Sequence, residues 1–126
     1  MTARFEALRE MARQAPVEVG VRGDCMAPLF AGGDRVRVAA ARFYLPGDVV
    51  VFRAAGGHLV AHRLLGYRLR AGSLALVTRG DACPVHDAPV LLAAVLGRVE
   101  SVHPTLAARA AALGRFLGLA FSRLGR

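Results

Sequence analysis

The stretch Gly47-Asp48-Val49-Val50-Val51-Phe52-Arg53 joins a turn to a short, continuously apolar run. Gly-Asp is typical of a turn, and four β-branched or aromatic residues in succession indicate a strand that is buried on both faces. Upstream, Arg35-Val36-Arg37-Val38 alternates charged and apolar side chains, as a half-buried strand does. These two segments predict a β domain.

Short β-rich runs continue from residue 16 to residue 103, and clusters of Gly, Pro and Asp separate them. We predict seven strands: Val17–Arg22, Arg35–Ala39, Asp48–Arg53, His58–Leu65, Tyr67–Arg70, Leu74–Thr78 and Val95–Val102. Strands of this number and spacing favour a mainly β fold with a coiled or barrel-like antiparallel sheet. Residues 16–103 are therefore expected to form the one β domain of the chain.

A short amphipathic helix is predicted over residues 1–15, before this β domain. Phe5, Leu8 and Ala12 recur at helical spacing among charged residues, and Pro16 follows the last of them.

A second amphipathic helix is predicted over residues 104–126, with Pro104 at its start. The i, i+4, i+7 pattern predicts an apolar stripe of Leu106, Ala110, Leu113, Leu117, Ala120 and Leu124. Arginines supply charge elsewhere on the same helix. A helix of this kind packs on its own domain or on a partner, or lies on an anionic membrane surface, and the sequence leaves these options open.

The composition indicates one ordered domain. The chain has 126 residues, of which 55% are hydrophobic and 21% charged, and this balance excludes intrinsic disorder as its main state. All 17 basic residues are Arg, against 9 acidic residues, for a net charge of +8. Because the arginines are spread along the whole chain, we expect no nucleic-acid partner. With no Lys in the sequence, no mechanism here can use a lysine base.

The sequence also predicts a compartment. Residues 1–14 are rich in charge and lack the apolar segment of a secretory signal peptide. The longest uncharged apolar stretch, Ala88 to Gly97, is far shorter than the roughly 20 residues of a membrane span. Two cysteines are too few for a disulfide-built secreted scaffold. We expect a cytoplasmic protein, either free or held at the inner face of the membrane by its C-terminal helix.

Three separate segments carry residues suited to nucleophilic catalysis. Cys25 lies in a short segment between Gly23 and Pro28. His62 interrupts an apolar strand, and the loop Gly80–Asp87 is dense in titratable groups. A cysteine, a histidine and an aspartate fit the roles of nucleophile, general base and base-orienting carboxylate. Sequence spacing alone leaves a second interpretation open, in which the strand histidine is an ordinary core or surface group.

The order of these and other short motifs resembles the signal peptidase I family, part of the wider S24/S26 peptidases that include the LexA-like repressors. The matching segments are Gly23-Asp24-Cys25-Met26-Ala27-Pro28, Gly33-Asp34-Arg35-Val36, Gly47-Asp48-Val49-Val50-Val51-Phe52, His62-Arg63-Leu64, Thr78-Arg79-Gly80-Asp81 and Gly97-Arg98-Val99. They cover roughly residues 17–102 and follow the order of the family.

The resemblance implies a signal peptidase/LexA-like coiled antiparallel β domain and an endopeptidase with named site residues. Cys25 stands where the family has its nucleophilic serine, and Met26 follows it as in the family motif. His62 matches the general base of the His-type branch, found in the ER and archaeal enzymes. Asp87, six residues beyond Asp81, matches the carboxylate that orients this base, and Asp81 matches a supporting position.

The resemblance also implies how such an enzyme would bind its substrate. We expect a peptide or protein precursor, such as one with a leader peptide, bound as an extended strand. Backbone N–H groups near Cys25 would bind the oxyanion. The runner-up interpretation is a catalytically inactive S24/S26-fold module that binds a peptide or docks a partner.

Two further uses of the same residues remain open. Cys83-Pro84-Val85-His86 has ligand-like spacing, with Cys25, His58, His62 and Asp87 as further candidate ligands. No paired motif completes a metal site, so we expect no metal and no other cofactor. The approach of the two loops in the family also allows a disulfide between Cys25 and Cys83, which a reducing cytosol would keep open.

Overall fold

The computed structural model describes residues 3–124, with side chains described up to residue 119. Its elements are α1 (Ala3–Gln14), β1 (Val17–Gly20), β2 (Arg35–Ala39), β3 (Val49–Arg53), β4 (Leu59–Arg70), β5 (Ser73–Arg79), β6 (Val90–Leu91), a 3-10 turn (Leu92–Ala94), β7 (Val95–Val99) and α2 (Leu106–Leu124). The two predicted helical segments also include residues 1, 2, 125 and 126, which lie outside the described residues.

All seven strands form one antiparallel sheet in the order β1-β2-β7-β3-β4-β5-β6. The sheet curls into a half-barrel, with a helix before it and another after it. The prediction of a mainly β fold with one helix at each end is therefore confirmed.

The strand β3 lies at the centre of the core, as its apolar sequence predicts. Val49 and Val51 belong to one buried cluster, whereas Val50 and Phe52 belong to another. Successive strand residues point to opposite faces, so β3 has apolar packing on both. The first cluster also contains Phe5 and Ala12 of α1, two of the apolar positions that recur at helical spacing.

Two strand assignments differ from the prediction, and several other bounds shift by one to three residues, with β1 ending at Gly20 and β7 at Val99. Residues 58–65 and 67–70 were expected to be separate strands with a break at Gly66, but β4 is continuous. Its pairing with β5 passes Gly66 through a register shift between Leu64 and Gly66, so the glycine marks an irregularity and not a turn. The short edge strand β6 was missed, because two residues carry no alternation pattern.

The helix α2 begins two residues later than predicted, and the predicted apolar stripe is not the face that packs on the sheet. Pro104 lies before the helix, and the Thr105 hydroxyl caps it by accepting a hydrogen bond from the Ala108 N–H at 3.1 Å. Leu106 is 86% exposed, and the predicted stripe that it begins turns away from the sheet through Leu113 and Leu117, which are 43% and 46% exposed. Side chains 120–124 of that stripe lie outside the described ones.

The face of α2 that packs on the sheet is a different one. Ala112 is buried, and Phe116 and Leu119 pack with it against Leu65 and Val77. This smaller apolar face packs on the sheet because Gly66, beside Leu65, leaves room for the Phe116 ring. A Cβ at that glycine would lie 2.5 Å from the ring.

A buried carboxylate fixes α2 beside β3. Asp48 is 2% exposed and accepts hydrogen bonds from the Arg109 guanidinium at 3.1 Å and from the Leu45 N–H at 2.9 Å. Arg109 also donates to the Pro46 carbonyl at 3.1 Å, so the cation bridges the helix and the turn before β3. Within residues 3–124, neither helix combines the length and the apolar character that crossing a bilayer requires.

We predict that Gly97→Ala destabilises the sheet. A Cβ at Gly97 would lie 2.5 Å from the Ala39 carbonyl oxygen, which belongs to the neighbouring strand and cannot rotate away. Overpacking of this kind costs about 1–3 kcal/mol in the free energy of unfolding. Urea denaturation of the purified variant measures the loss.

Gly20→Ala is the matched control, because it changes another strand glycine whose Cβ would have no neighbour within 4 Å. Its unfolding midpoint should stay close to that of the parent. Equal midpoints for the two variants would contradict the argument from the close approach of β2 and β7.

Candidate active site

Cys25 lies in a tight turn after β1. The Ala27 N–H donates to the Asp24 carbonyl and the Leu29 N–H to the Met26 carbonyl, at 3.0 and 2.8 Å. The Asp24 carboxylate closes the turn by accepting the Gly32 N–H at 2.7 Å. Cys25 is partly exposed in this turn, whereas Met26 is buried in the core. The buried Met26 thus anchors the backbone of the turn, while the side chain of the adjacent Cys25 stays partly exposed.

The loop Gly80–Asp87 lies directly against this turn. The Ala82 N–H donates to the Cys25 carbonyl at 2.6 Å, and the Asp81 N–H donates to the Met26 sulfur at 3.3 Å. Gly80 is required at the contact, because a side chain there would collide with Cys25 Cβ and lie 2.8 Å from its carbonyl oxygen. Met26 therefore joins the loop to the core.

His62 is held on the central part of β4. It pairs with Val50 of β3 and is 8% exposed, and the edge of its ring packs against Phe52, with 5.8 Å between the ring centroids. Its Nδ1 lies 2.5 Å from Asp87 Oδ2. This contact leaves Nε2 as the ring nitrogen that is free to act on a neighbour.

Asp87 is in turn positioned by β5. The Thr78 hydroxyl donates to Asp87 Oδ2 at 2.7 Å, and the Asp87 N–H donates to the Thr78 carbonyl at 2.8 Å. Thr78 is fully buried, so this pair of contacts is shielded from water. Thr78 thus fixes the position of the carboxylate independently of His62, and a base-orienting group needs such a fixed position.

Cys25 is joined to Cys83 by a disulfide, with 5.2 Å between the two Cα atoms. The sulfurs and a ring nitrogen of His62 all lie within 4.8 Å of one another. The structure therefore brings together the predicted Cys25, His62 and Asp87, and it adds Cys83, which the sequence offered only as a disulfide or ligand option. His58 and His86, the other candidate ligands, do not belong to this cluster.

Asp81 has a different neighbour from Asp87. Arg63 donates to both carboxylate oxygens of Asp81, at 2.8 and 2.7 Å, and also to the Gly47 carbonyl at 2.8 Å. The hydrogen bonds to Asp81 raise the pKa of Arg63 above its already high usual value, so the guanidinium stays charged. Asp81 fastens the start of the loop to β4.

Two contributors were not identified as functional from the sequence. Thr78 and Arg63 both lie in segments that resemble the family motifs, but a threonine or an arginine in a strand gave no reason to predict a role for it. Their roles depend on partners nine and eighteen residues away in the chain. The adjacent Thr-Arg-Gly-Asp and His-Arg motifs were the available signal.

Neither a family model nor a curated protein matches this chain. Its relation to the signal peptidase I family stays a prediction.

We predict that Thr78→Val loosens the contact between His62 and Asp87. Valine keeps the shape of the buried side chain but removes the hydroxyl that holds Asp87 Oδ2, at a cost of about 1 kcal/mol in the free energy of unfolding. Proton exchange of the His62 Nδ1–H with solvent, followed by nuclear magnetic resonance, should become faster. Thr78→Ser, which keeps the hydroxyl, should exchange like the parent, and equal rates in all three proteins would show that Thr78 does not position Asp87.

Proposed function

We propose that the protein is a signal-peptidase-like endopeptidase that cleaves a peptide or protein precursor through Cys25, His62 and Asp87. The nucleophile is the Cys25 thiol of the reduced chain. His62 is the general base and then the general acid, and Asp87 orients its ring. Met26 and Asp81 are supporting residues.

One observation carries this proposal. His62 has a carboxylate on one ring nitrogen, at 2.5 Å, and the Cys25 sulfur within 4.8 Å of the ligand atom of the same ring. This is the arrangement in which a base, oriented by a third group, activates a nucleophile. A histidine placed only for packing has no need of a threonine-anchored carboxylate beside a cysteine.

The chemistry follows from these contacts. Nε2 of His62 accepts the thiol proton of Cys25, and the sulfur attacks the carbonyl carbon of the scissile peptide bond. Asp87 stabilises the protonated imidazole, which then donates its proton to the departing amine, so the C–N bond breaks and a thioester remains. Water attacks the thioester with His62 as base, which releases the new carboxyl terminus and restores the thiol.

The disulfide makes this activity depend on reduction. In the disulfide form the Cys25 sulfur is bonded to Cys83 and cannot attack a carbonyl. A thiol or phosphine reductant supplies two electrons and releases both thiols. The backbone contact from Ala82 to Cys25 does not involve sulfur, so the loop is expected to stay in place when the bond opens.

The same disulfide favours a second candidate function. A chain in which Cys25 is always bonded to Cys83 would be a peptide-binding or docking module of the same fold. The two candidates differ in the behaviour of the reduced thiol, and this difference needs no substrate to measure.

We predict that reduced Cys25 is alkylated rapidly at pH values where an ordinary thiol, with a pKa of about 8.5, is mostly protonated. His62 would accept its proton, as argued above. Peptide mapping by mass spectrometry measures the rate at each pH for Cys25 and for Cys83 in the same sample. His62→Ala should slow Cys25 towards ordinary thiol behaviour.

His86→Ala is the matched control, since it removes a nearby histidine that is outside the cluster. It should leave the pH dependence of Cys25 unchanged. A Cys25 that reacts slowly, or that is indifferent to His62, would favour the binding module over the endopeptidase.

We further predict that the reduced chain cleaves members of a complex peptide library, and that Cys25→Ala abolishes cleavage without unfolding the protein. Mass spectrometry of newly formed termini detects the products. Cys83→Ser should cleave without added reductant, because Cys25 then has no partner for a disulfide.

Paired carboxylate variants test the assignment of roles. Asp87→Ala should lower the rate of cleavage strongly, since it removes the contact on Nδ1 of His62. Asp81→Ala should chiefly lower stability, since it leaves Arg63 without its carboxylate. If Asp81→Ala lowered the rate of cleavage strongly and Asp87→Ala did not, Asp81 and not Asp87 would be the carboxylate that orients His62. Cleavage by Cys25→Ala would exclude Cys25 as the nucleophile.

A further inference from the structure

The reduced site contains more ligand atoms than a cysteine peptidase needs. Cys83 has no part in the proposed cleavage, yet its sulfur lies within 4.8 Å of the ligand atoms of Cys25 and His62. Two thiolates and an imidazole are a donor set that suits Zn²⁺, with a fourth position left for water. We propose that the reduced protein binds one Zn²⁺ ion through Cys25, Cys83 and His62.

The spacing of the three groups fits a tetrahedral ion. Zinc–sulfur and zinc–nitrogen bonds of about 2.3 and 2.0–2.1 Å place neighbouring ligand atoms roughly 3.5 Å apart. The cluster spans at most 4.8 Å, so small side-chain rotations produce this geometry. When the disulfide is reduced the two sulfurs must separate, and Cα atoms 5.2 Å apart allow that without a backbone shift.

The surroundings of His62 support a metal in the same way that they support catalysis. A ligating histidine usually donates its other ring N–H to a carboxylate, which fixes the ring and increases its basicity. Asp87 occupies that position on Nδ1, which leaves Nε2 for the ion. Asp87 Oδ2 is already engaged by His62 and Thr78, so Asp87 acts as an outer partner rather than a fourth ligand.

Contacts of the backbone keep the two cysteines together without a sulfur–sulfur bond. The Ala82 N–H donates to the Cys25 carbonyl, and the Cys83 N–H donates to the Gly80 carbonyl at 3.0 Å. The Cys83 carbonyl in turn accepts a hydrogen bond from the Arg79 side chain at 2.8 Å. The site is therefore largely formed before a metal arrives, which lowers the entropy that binding must overcome.

Binding of this ion is chemically distinct from the proposed cleavage. Zinc binding needs both thiolates and no peptide, and it displaces the two thiol protons. A metal-loaded chain has no free Cys25 thiolate, so Zn²⁺ would inhibit the endopeptidase. That consequence rests on the proposed function, whereas the binding itself does not.

The test uses the full chain reduced with a phosphine, which opens the disulfide and becomes a phosphine oxide with an oxygen atom from water. Titration with Co²⁺ should give the thiolate-to-cobalt charge-transfer band and the strong visible bands of a four-coordinate site, saturating at one ion per chain. Added Zn²⁺ should remove these bands, and elemental analysis after gel filtration should find one zinc per chain.

Variants assign the ligands. Cys83→Ser and His62→Ala should lose stoichiometric binding, and Asp87→Asn should weaken it about 10- to 100-fold by removing the outer carboxylate. His86→Ala, which changes a histidine outside the cluster, should bind like the parent. Circular dichroism of each variant confirms that it is folded.

Three results would each overturn the metal site: no charge-transfer band in the reduced chain, equal metal binding by the reduced and oxidised chains, or undiminished binding by folded His62→Ala. None of these readouts depends on cleavage. A chain that binds zinc but has an unreactive Cys25 would retain the metal site and lose the endopeptidase, and the opposite result would do the reverse.

Discussion

The close approach of Gly80 to Cys25 is the contact on which the candidate site depends. The loop after β5 can lie on the turn after β1 only because residue 80 has no side chain. The Ala82 N–H and the Cys25 carbonyl then form a short hydrogen bond, at 2.6 Å. This contact carries Cys83 and Asp87, which follow on the same loop, to the side of β4 where His62 lies. A larger residue at position 80 would separate all of these groups at once.

Both proposed activities of the site, peptide cleavage and zinc binding, depend on His62. Its Nδ1 is held by Asp87, which leaves Nε2 as the ring nitrogen available to the two cysteines in both proposals. The same nitrogen can take a proton from a thiol or donate its lone pair to a metal, but it cannot do both. In the proposals made above, the oxidation state of the cysteines and the presence of a thiophilic ion therefore decide what the fold does. The protein scaffold itself need not move.

Local patterns predicted the elements well, whereas long-range packing decided the details that the sequence left undetermined. β2 has the predicted bounds because charge alternation fixes its register, and β3 has the predicted burial because it is apolar throughout. The sequence did not determine which face of α2 packs on the sheet, because both of its faces contain apolar residues. The room for Phe116 beside Gly66, fifty residues away, selects between them, and no periodicity within the helix reports it.

Asp81 and Asp87 lie in one loop, and only the resemblance, not the sequence of the loop, gave them different expected roles. Asp81 binds Arg63 and Asp87 binds His62, and these partners are consecutive in β4. Consecutive strand residues point to opposite faces of the sheet. The loop after β5 must therefore reach both faces, and its five intervening residues give it the length to do so. Which aspartate orients the base follows from the face that His62 occupies, and this face is fixed by the pairing of β4 with β3 and β5, not by the sequence of the loop.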